Sequence, residues 1–281
     1  MINFLKGILV GVGGIAPGLS GSVMLLILGL YEKSISAISN IFNGFKNNIK
    51  FLFPLVIGFG CGIILFSKLV NFLLLNYEFQ TRYAFFGLVI GTIPLFLKSV
   101  KKNGFSNKYY LCIGIAFLVG ILLFSFNGNL FPQIKNPNIF QSSLLGIAVA
   151  GSSIIPGVDS AVILSALGLY ELYVSSIAEF NFSVLIPAGI GLIIGAILIS
   201  KFMNYFITRF YTATFSIIFG LFISIIPKVL TENCHVNSIG DALFALLLAI
   251  SGFIISFYFG NIQNNNYKIK KIFKNIKSKF S

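Results

Sequence analysis

An internal duplication constrains the fold of this chain more than any other feature. Residues 14–32 read GIAPGLSGSVMLLILGLYE, and residues 153–171 read SIIPGVDSAVILSALGLYE. Pro-Gly recurs at the same place in both segments, and Leu-Gly-Leu-Tyr-Glu closes both without a substitution. Chance similarity between apolar helices mostly matches leucine with isoleucine and would not align prolines and glycines in order. We therefore expect two copies of one structural unit.

The similarity continues downstream, after a small difference in the length of the connecting segment. The matched pairs are Pro54 and Pro187, Gly58 and Gly191, Gly62 and Gly195, Ser67 and Ser200, Lys68 and Lys201, Asn71 and Asn204, Thr81 and Thr214, Phe86 and Phe219, Gly87 and Gly220, Ile93 and Ile226, and Pro94 and Pro227. The glycines at four-residue spacing are expected to allow close packing of helices. The duplicated unit is therefore longer than a single helix.

Composition places both copies in a membrane. The 281 residues are 57% hydrophobic and 10% charged, whereas a soluble domain carries about 25% charged residues. Several apolar runs approach the roughly 20 residues that a helix needs to cross the hydrocarbon core. The sequence therefore predicts an all-α integral membrane protein.

Each copy is predicted to contain one broken apolar segment followed by three spans. Proline removes an amide donor and glycine permits positive φ, so the Pro-Gly pairs should interrupt both helices. Repeat 1 is assigned to residues 1–130, with its broken segment at 5–31 and spans at about 51–75, 83–97 and 109–126. Repeat 2 is assigned to residues 139–262, with its broken segment at 140–170, spans at about 184–207, 214–226 and 239–259, and a basic tail at 263–281.

The placement of basic residues predicts the topology. If each broken segment re-enters and returns, each half crosses three times and the halves are inverted. The inner loops then hold the tail and Lys33, Lys46, Lys50, Lys98, Lys101, Lys102, Lys108 and Arg209, and the outer loops hold only Arg82, Lys135 and Lys228. The positive-inside rule favours this inverted repeat, in which each unit is a re-entrant helical hairpin plus three transmembrane helices. Both termini are then cytoplasmic, in the cytoplasmic (inner) membrane.

The formal net charge of +13 does not indicate a nucleic-acid partner, because six of the last fourteen residues are lysines that follow an apolar segment. Such a tail faces anionic lipid headgroups, or serves only as a topology anchor. Cys61, Cys112 and Cys234 lack metal-ligand spacing, and His235 is the only histidine. We expect no metal, no cofactor and no hydrolytic centre, and the oligomeric state is not indicated.

Inverted repeats with broken helices are typical of secondary transporters, in which irregular backbone lines a cavity. The second half-helix of each broken segment begins near Ser20-Gly21 and Asp159-Ser160. Ser and Asp are good N-caps, and the amides and dipole at a helix start favour an anion such as phosphate. An aspartate repels phosphate unless it is protonated or paired. We expect the first hairpin to bind an anion and the second to bind a coupling proton or sodium ion; simple capping is the alternative.

Four basic residues are further candidates for contacts with the phosphate: Lys68, Arg82, Lys201 and Arg209. A lysine within a span faces a cavity or a partner, or extends to the headgroups, and both readings stay open. A guanidinium suits bidentate contact with a phosphate. Glu32 and Glu171 end the matched helices and are expected to pair with a nearby cation. They join Asp159 as candidates for ion coupling.

The Pro-Gly-x-Ser-Gly run and the apolar helix ending Leu-Gly-Leu-Tyr-Glu resemble a bacterial and archaeal family of polyprenyl-phosphate translocases of the PopT type. The resemblance covers the chain apart from its basic tail. It implies a flippase that returns undecaprenyl phosphate, the lipid carrier of cell-wall glycans, to the cytoplasmic leaflet. The family motif falls on Pro17, Gly18, Ser20 and Gly21, and its second copy on Pro156 and Gly157. A secondary transporter of a small anion or other polar solute is the alternative.

Overall fold

The computed structural model describes residues 2–15, 20–125, 134, 137–158, 160–230 and 239–277. All regular structure in this part of the chain is helical, which confirms the predicted all-α class. The helices are α1 (Ile2–Ile15), α2 (Gly21–Ile27), α3 (Tyr31–Ser39), α4 (Phe45–Asn76), α5 (Glu78–Val100), α6 (Lys108–Ser125), α7 (Ile139–Ile154), α8 (Ser160–Ala166), α9 (Tyr170–Ala178), α10 (Phe182–Arg209), α11 (Tyr211–Ile225) and α12 (Ile239–Lys277), with a 3₁₀ turn at Ile226–Val229.

The two copies of the sequence form helices in the same order. In the first copy, α1 has 14 residues, α2 has 7, α3 has 9 and α4 has 32. In the second copy, α7 has 16 residues, α8 has 7, α9 has 9 and α10 has 28. Helix α5 then corresponds to α11 by its matched residues, and α6 corresponds to α12 by its place in the order. The duplicated sequence thus gives a duplicated succession of helices.

The Leu-Gly-Leu-Tyr-Glu run forms a turn between two short helices in each copy. Gly29 and Gly168 have φ values of 57° and 66°. The amide after each glycine donates to the carbonyl five residues earlier, at 2.8 Å, as in a Schellman motif. The prediction that Glu32 and Glu171 end the matched helices is therefore wrong. Both lie in the first turn of the next helix, where the helix dipole favours a carboxylate.

Several helices are long and apolar enough to cross a bilayer, so the chain is a multi-pass membrane protein. Among the described residues these are α4, α5, α10 and the Ile239–Tyr258 part of α12, and α2 with α3 forms a further broken candidate bent by 118°. Helices α6 and α11, at the predicted spans 109–126 and 214–226, are apolar but shorter. Helix α5 continues through Pro94, whereas α11 ends at Ile225 and the matched Pro227 is the second residue of the 3₁₀ turn. The predicted basic tail continues α12 as far as Lys277.

The helices pack in four close pairs, which are α1 on α4, α7 on α10, α5 on α12, and α6 on α11. A Cβ atom at Gly58 would overlap the backbone carbonyl of Phe4, and one at Gly191 would overlap that of Ser143. The prediction that these glycines permit close helix packing is confirmed. Equivalent helices form equivalent pairs. Helix α6 of the first copy packs on α11 of the second, and α12 of the second copy packs on α5 of the first.

Buried side chains form one central core and two local ones. The central core lies between the copies, where the ring of Phe96 on α5 stacks on that of Phe222 on α11 at 5.3 Å. Each local core lies within one copy. The first joins α2 and α3 to α4, and the second joins α8 and α9 to α10. The short helices therefore contact their own copy through the local cores, and the central core holds the two copies together.

Candidate functional site

A pair of serines marks the start of α2, directly after the first Pro-Gly break. Ser20 is the N-cap of α2: its Oγ accepts from the Val23 amide at 3.2 Å. The same Oγ lies 3.0 Å from Oγ of the buried Ser22. Capping by Ser20 is therefore confirmed, and Gly21 begins the helix. Pro17 and Gly18 lie outside the described residues.

A second pair of serines lies beside the second break. Ser160 begins α8, and its Oγ is 2.6 Å from that of Ser152, which is buried on α7. The Ser152 hydroxyl also donates to the carbonyl of Val149 at 2.9 Å. Because a hydroxyl has one proton, Ser160 must be the donor in the bond between the two serines. Asp159 lies outside the described residues.

The two serine pairs differ in the protons that they can offer to a ligand. In the first pair, the bond from Val23 to Ser20 uses the amide proton of Val23. The bond between Ser20 and Ser22 uses one of the two hydroxyl protons. Within the described residues no carbonyl accepts from either hydroxyl, so among these residues one hydroxyl proton has no acceptor. In the second pair both protons are engaged, and Ser160 keeps only acceptor lone pairs. A free donor suits an anion, whereas free acceptors suit a cation.

The second Pro-Gly break packs against the middle of α11. Pro156 is fully buried, and Gly157 has φ of 82°, a region that glycine adopts without steric penalty. A Cβ atom added at Gly157 would lie 2.6 Å from the backbone nitrogen of Phe222. The break that carries Ser160 is therefore held against the central core between the copies.

Lys68 and Lys201 lie on exposed faces of α4 and α10. Their neighbours Leu65 and Leu198 are exposed as well. A lysine among exposed apolar side chains can extend its ammonium group to the headgroups, which was the alternative left open from the sequence. Across the described residues, no hydrogen bond or ion pair joins either lysine to the serine pairs. Contact of these lysines with a phosphate stays a prediction.

The two predicted arginines have different surroundings. Arg82 forms an ion pair with Glu78, with Nε 2.8 Å from Oε1, and its Nη1 donates to the Val229 carbonyl at 3.3 Å. This side chain therefore joins the start of α5 to the 3₁₀ turn after α11. Arg209 is exposed at the last position of α10, where a positive charge stabilises the helix dipole. For both arginines, phosphate contact stays a prediction.

Glu32 links the two copies through charged and polar contacts. Its Oε1 accepts from Nζ of Lys102 at 3.0 Å and from the hydroxyl of Tyr211 at 2.7 Å. The Lys102 ammonium also lies 5.0 Å from the centre of the Tyr211 ring. The prediction that Glu32 pairs with a nearby cation is confirmed. The matched Glu171 is exposed on α9, and ion coupling by either glutamate stays a prediction.

Tyr31 was missed by the sequence reasoning. Its buried hydroxyl donates to the carbonyl of Ile154 at 3.1 Å, at the end of α7 beside the second break. Its ring meets Phe215 edge-on, with centroids 6.4 Å apart. The repeated Tyr-Glu pair was the available signal, although it does not distinguish one copy from the other. Tyr31, Glu32, Lys102 and Tyr211 are termed the Tyr31 cluster below.

Comparison with known proteins agrees with the resemblance seen in the repeated motif. A family described as undecaprenyl phosphate translocase-like matches residues 40–243. The chain is 31% identical over 283 residues to a polyprenyl-phosphate transporter of Staphylococcus aureus, covering 94% of this chain and 98% of that relative. It is 24% identical over 269 residues to a polyprenyl-phosphate transporter of Vibrio cholerae, covering 89% and 85%. No solved structure matches the chain significantly. Because the family match covers more than half of its residues, the chain belongs to the undecaprenyl phosphate translocase-like family.

Proposed function

We propose that this protein is a flippase that recycles undecaprenyl phosphate, or a related polyprenyl phosphate, across the cytoplasmic membrane by alternating access. The observation that carries the proposal is the nearly full-length similarity to a polyprenyl-phosphate transporter. The duplicated helices and their Pro-Gly breaks support it, because two related halves can exchange conformations around one site.

The phosphate group is proposed to bind at the first break. The hydroxyl proton left over by Ser20 and Ser22, with the amides near Gly18 and Gly21, would offer donors to phosphate oxygens. From the second copy, Pro156 and Gly157 are proposed to complete the site. The predicted phosphate ligand Ser160, whose proton is engaged with Ser152, is assigned instead to the coupling ion. The basic residues Lys68, Arg82, Lys201 and Arg209 are proposed to receive and release the headgroup at opposite faces.

Orientation in the membrane is proposed from the distribution of charge. The end of α5 and the loop after it carry Lys98, Lys101 and Lys102, and Lys33 lies next to Glu32. The positive-inside rule puts these residues on the cytoplasmic side, together with both termini. The Pro-Gly segments would then be re-entrant and the halves inverted. In this arrangement the Tyr31 cluster lies towards the cytoplasm.

Thermal stabilisation by the lipid tests the proposed substrate. A ligand that binds only the folded state stabilises it by about 2.7 kcal/mol at a concentration one hundred times its dissociation constant. We expect undecaprenyl phosphate to raise the melting temperature of the purified protein, and undecaprenol and inorganic phosphate to leave it unchanged. Stabilisation by inorganic phosphate but not by the lipid would instead indicate transport of a small anion.

Asp159 is proposed to couple transport to a proton or sodium gradient. In the second serine pair Ser160 offers only acceptor lone pairs, which suit a cation or a proton held beside a carboxylate. We expect Asp159→Asn to abolish the dependence of transport on pH or sodium in proteoliposomes. The matched control is Glu179→Gln, which changes an exposed acid beyond α9 and should leave that dependence intact. Unchanged ion dependence in Asp159→Asn would contradict the coupling role.

A further inference from the structure

The equivalent helices α3 and α9 have different surroundings. Tyr31 and Ile35 on α3 are 1% and 2% exposed and belong to the central core. The matched Tyr170 and Val174 on α9 are 42% and 46% exposed. Since the residues at these positions are the same or similar, the difference arises from what packs against each helix.

The helix that covers α3 belongs to the other copy. Helix α3 packs on α10, whereas in the described residues α9 has no comparable packing on α4, the equivalent of α10. The exposed Tyr170, Val174 and Ile177 lie at spacings of four and three residues, so they share one face of α9. The structure is therefore asymmetric at this point, although its helices follow one another in the same order in both copies.

The packing of α3 on α10 is also of a different kind from that in the four close helix pairs. Helix α3 contains no glycine, and the close glycine contacts of α10 are made with α7. Without close backbone contact at glycines, this interface is better suited to separation than the glycine-packed pairs, which would move as units.

We infer that the Tyr31 cluster is a closed gate, and that a second state exists in which α3 leaves α10 and α9 packs on α4. The occupant of the exposed α9 face is then α4 of the same chain. This inference rests on the proposed transport function, because two halves that exchange conformations are expected to exchange these two interfaces.

The same exchange assigns a role to the Arg82–Glu78 ion pair. Glu78 and Tyr211 are equivalent, since each lies three residues before a matched threonine, Thr81 or Thr214. When α9 closes, Glu171 therefore approaches Glu78, as Glu32 approaches Tyr211 in the present state. Two carboxylates would repel each other there, and Arg82 supplies the compensating positive charge, as Lys102 does for Glu32.

Cross-linking of paired cysteines tests the gate in a background in which Cys61, Cys112 and Cys234 are serines. The pair Ile35→Cys and Met203→Cys joins α3 to α10 within the central core. By the repeat, the equivalent pair is Val174→Cys and Val70→Cys. In nanodiscs without substrate, we expect a short thiol cross-linker to join the first pair in most molecules and the second pair in a minor fraction.

Removing one hydroxyl should shift the balance between the two cross-links. Tyr31→Phe keeps the ring but loses the bond to Ile154, and we expect it to raise the fraction of the second cross-link about fivefold. The matched Tyr170→Phe changes an exposed tyrosine and should not raise it. A control pair of Val174→Cys with Leu65→Cys, on the exposed side of α4, should not cross-link.

The outcomes separate the gate from the proposed function. The gate is overturned if the second pair never cross-links, even with Tyr31→Phe, or cross-links no better than the Leu65 control. The cross-linking measurement needs no substrate. If both cross-links behave as expected while liposomes show no movement of polyprenyl phosphate, the gate stands and the proposed substrate is wrong. If both hold, either cross-link alone should stop transport.

Discussion

Alanine at Gly157 is expected to lower the melting temperature much more than alanine at Gly104. Both glycines have φ in the left-handed region, at 82° and 91°, so both variants carry a conformational penalty of about 1–2 kcal/mol. At Gly157 the new Cβ would also lie 2.6 Å from the nitrogen and 2.8 Å from the Cα of Phe222. Those atoms belong to the backbone of a buried helix and cannot rotate away. Overpacking of this kind adds about 1–3 kcal/mol.

Gly104 is the matched control because nothing lies within 4 Å of a Cβ atom added there. Thermal unfolding of both purified variants in the same detergent measures the difference. Equal losses of stability would show that the second break does not press against α11 as described. If Gly157→Ala yields no folded protein while Gly104→Ala does, the result has the same meaning as a larger drop in melting temperature.

Alanine at Gly58 and at Gly191 is expected to disrupt the α1–α4 and α7–α10 pairs. At each position the added Cβ would overlap a backbone carbonyl of the facing helix, so the helices must move apart. The expected cost is about 1–3 kcal/mol for each substitution. Because the two positions are equivalent in the repeat, we expect losses of similar size, measured as the change in melting temperature.

The chain provides a control two residues from each of these positions. Gly60 on α4 and Gly189 on α10 have nothing within 4 Å of an added Cβ atom. Alanine there should be neutral, or should stabilise the helix by about 0.5–1 kcal/mol, because alanine is the better helix former. If Gly58→Ala were as well tolerated as Gly60→Ala, close backbone contact between α1 and α4 would be refuted.

Features that depend on local sequence were predicted well. The all-α class followed from composition, and Gly58 and Gly191 were correctly assigned to helix packing. The second half-helix was predicted to continue through Gly29 and to end at Glu32, because an apolar run with one glycine is compatible with either structure. Only the positive φ of that glycine, with the hydrogen bond across it, reveals that a second helix begins at Tyr31.

Features that depend on the tertiary arrangement were beyond the sequence. Tyr31 and Tyr170 stand in the same five-residue run, yet one is buried and the other exposed, because burial is determined by a helix of the other copy. The protons of the serine pairs could not be assigned either. Ser152 lies eight residues before Ser160 across the Pro-Gly break, and the donor of the bond between them follows from the bond that Ser152 donates to the Val149 carbonyl.

Because α12 packs on α5, the first half of this protein cannot complete its packing without a helix of the second half. The backbone carbonyl of Ala249 lies against Gly87, so the ribosome makes the surface of α5 before it makes the helix that covers it. Until residue 250 or so has been synthesised, the glycine face of α5 is left to lipid or to insertion factors. A chain truncated before α12 would therefore lack the packing partner of the glycine face of α5.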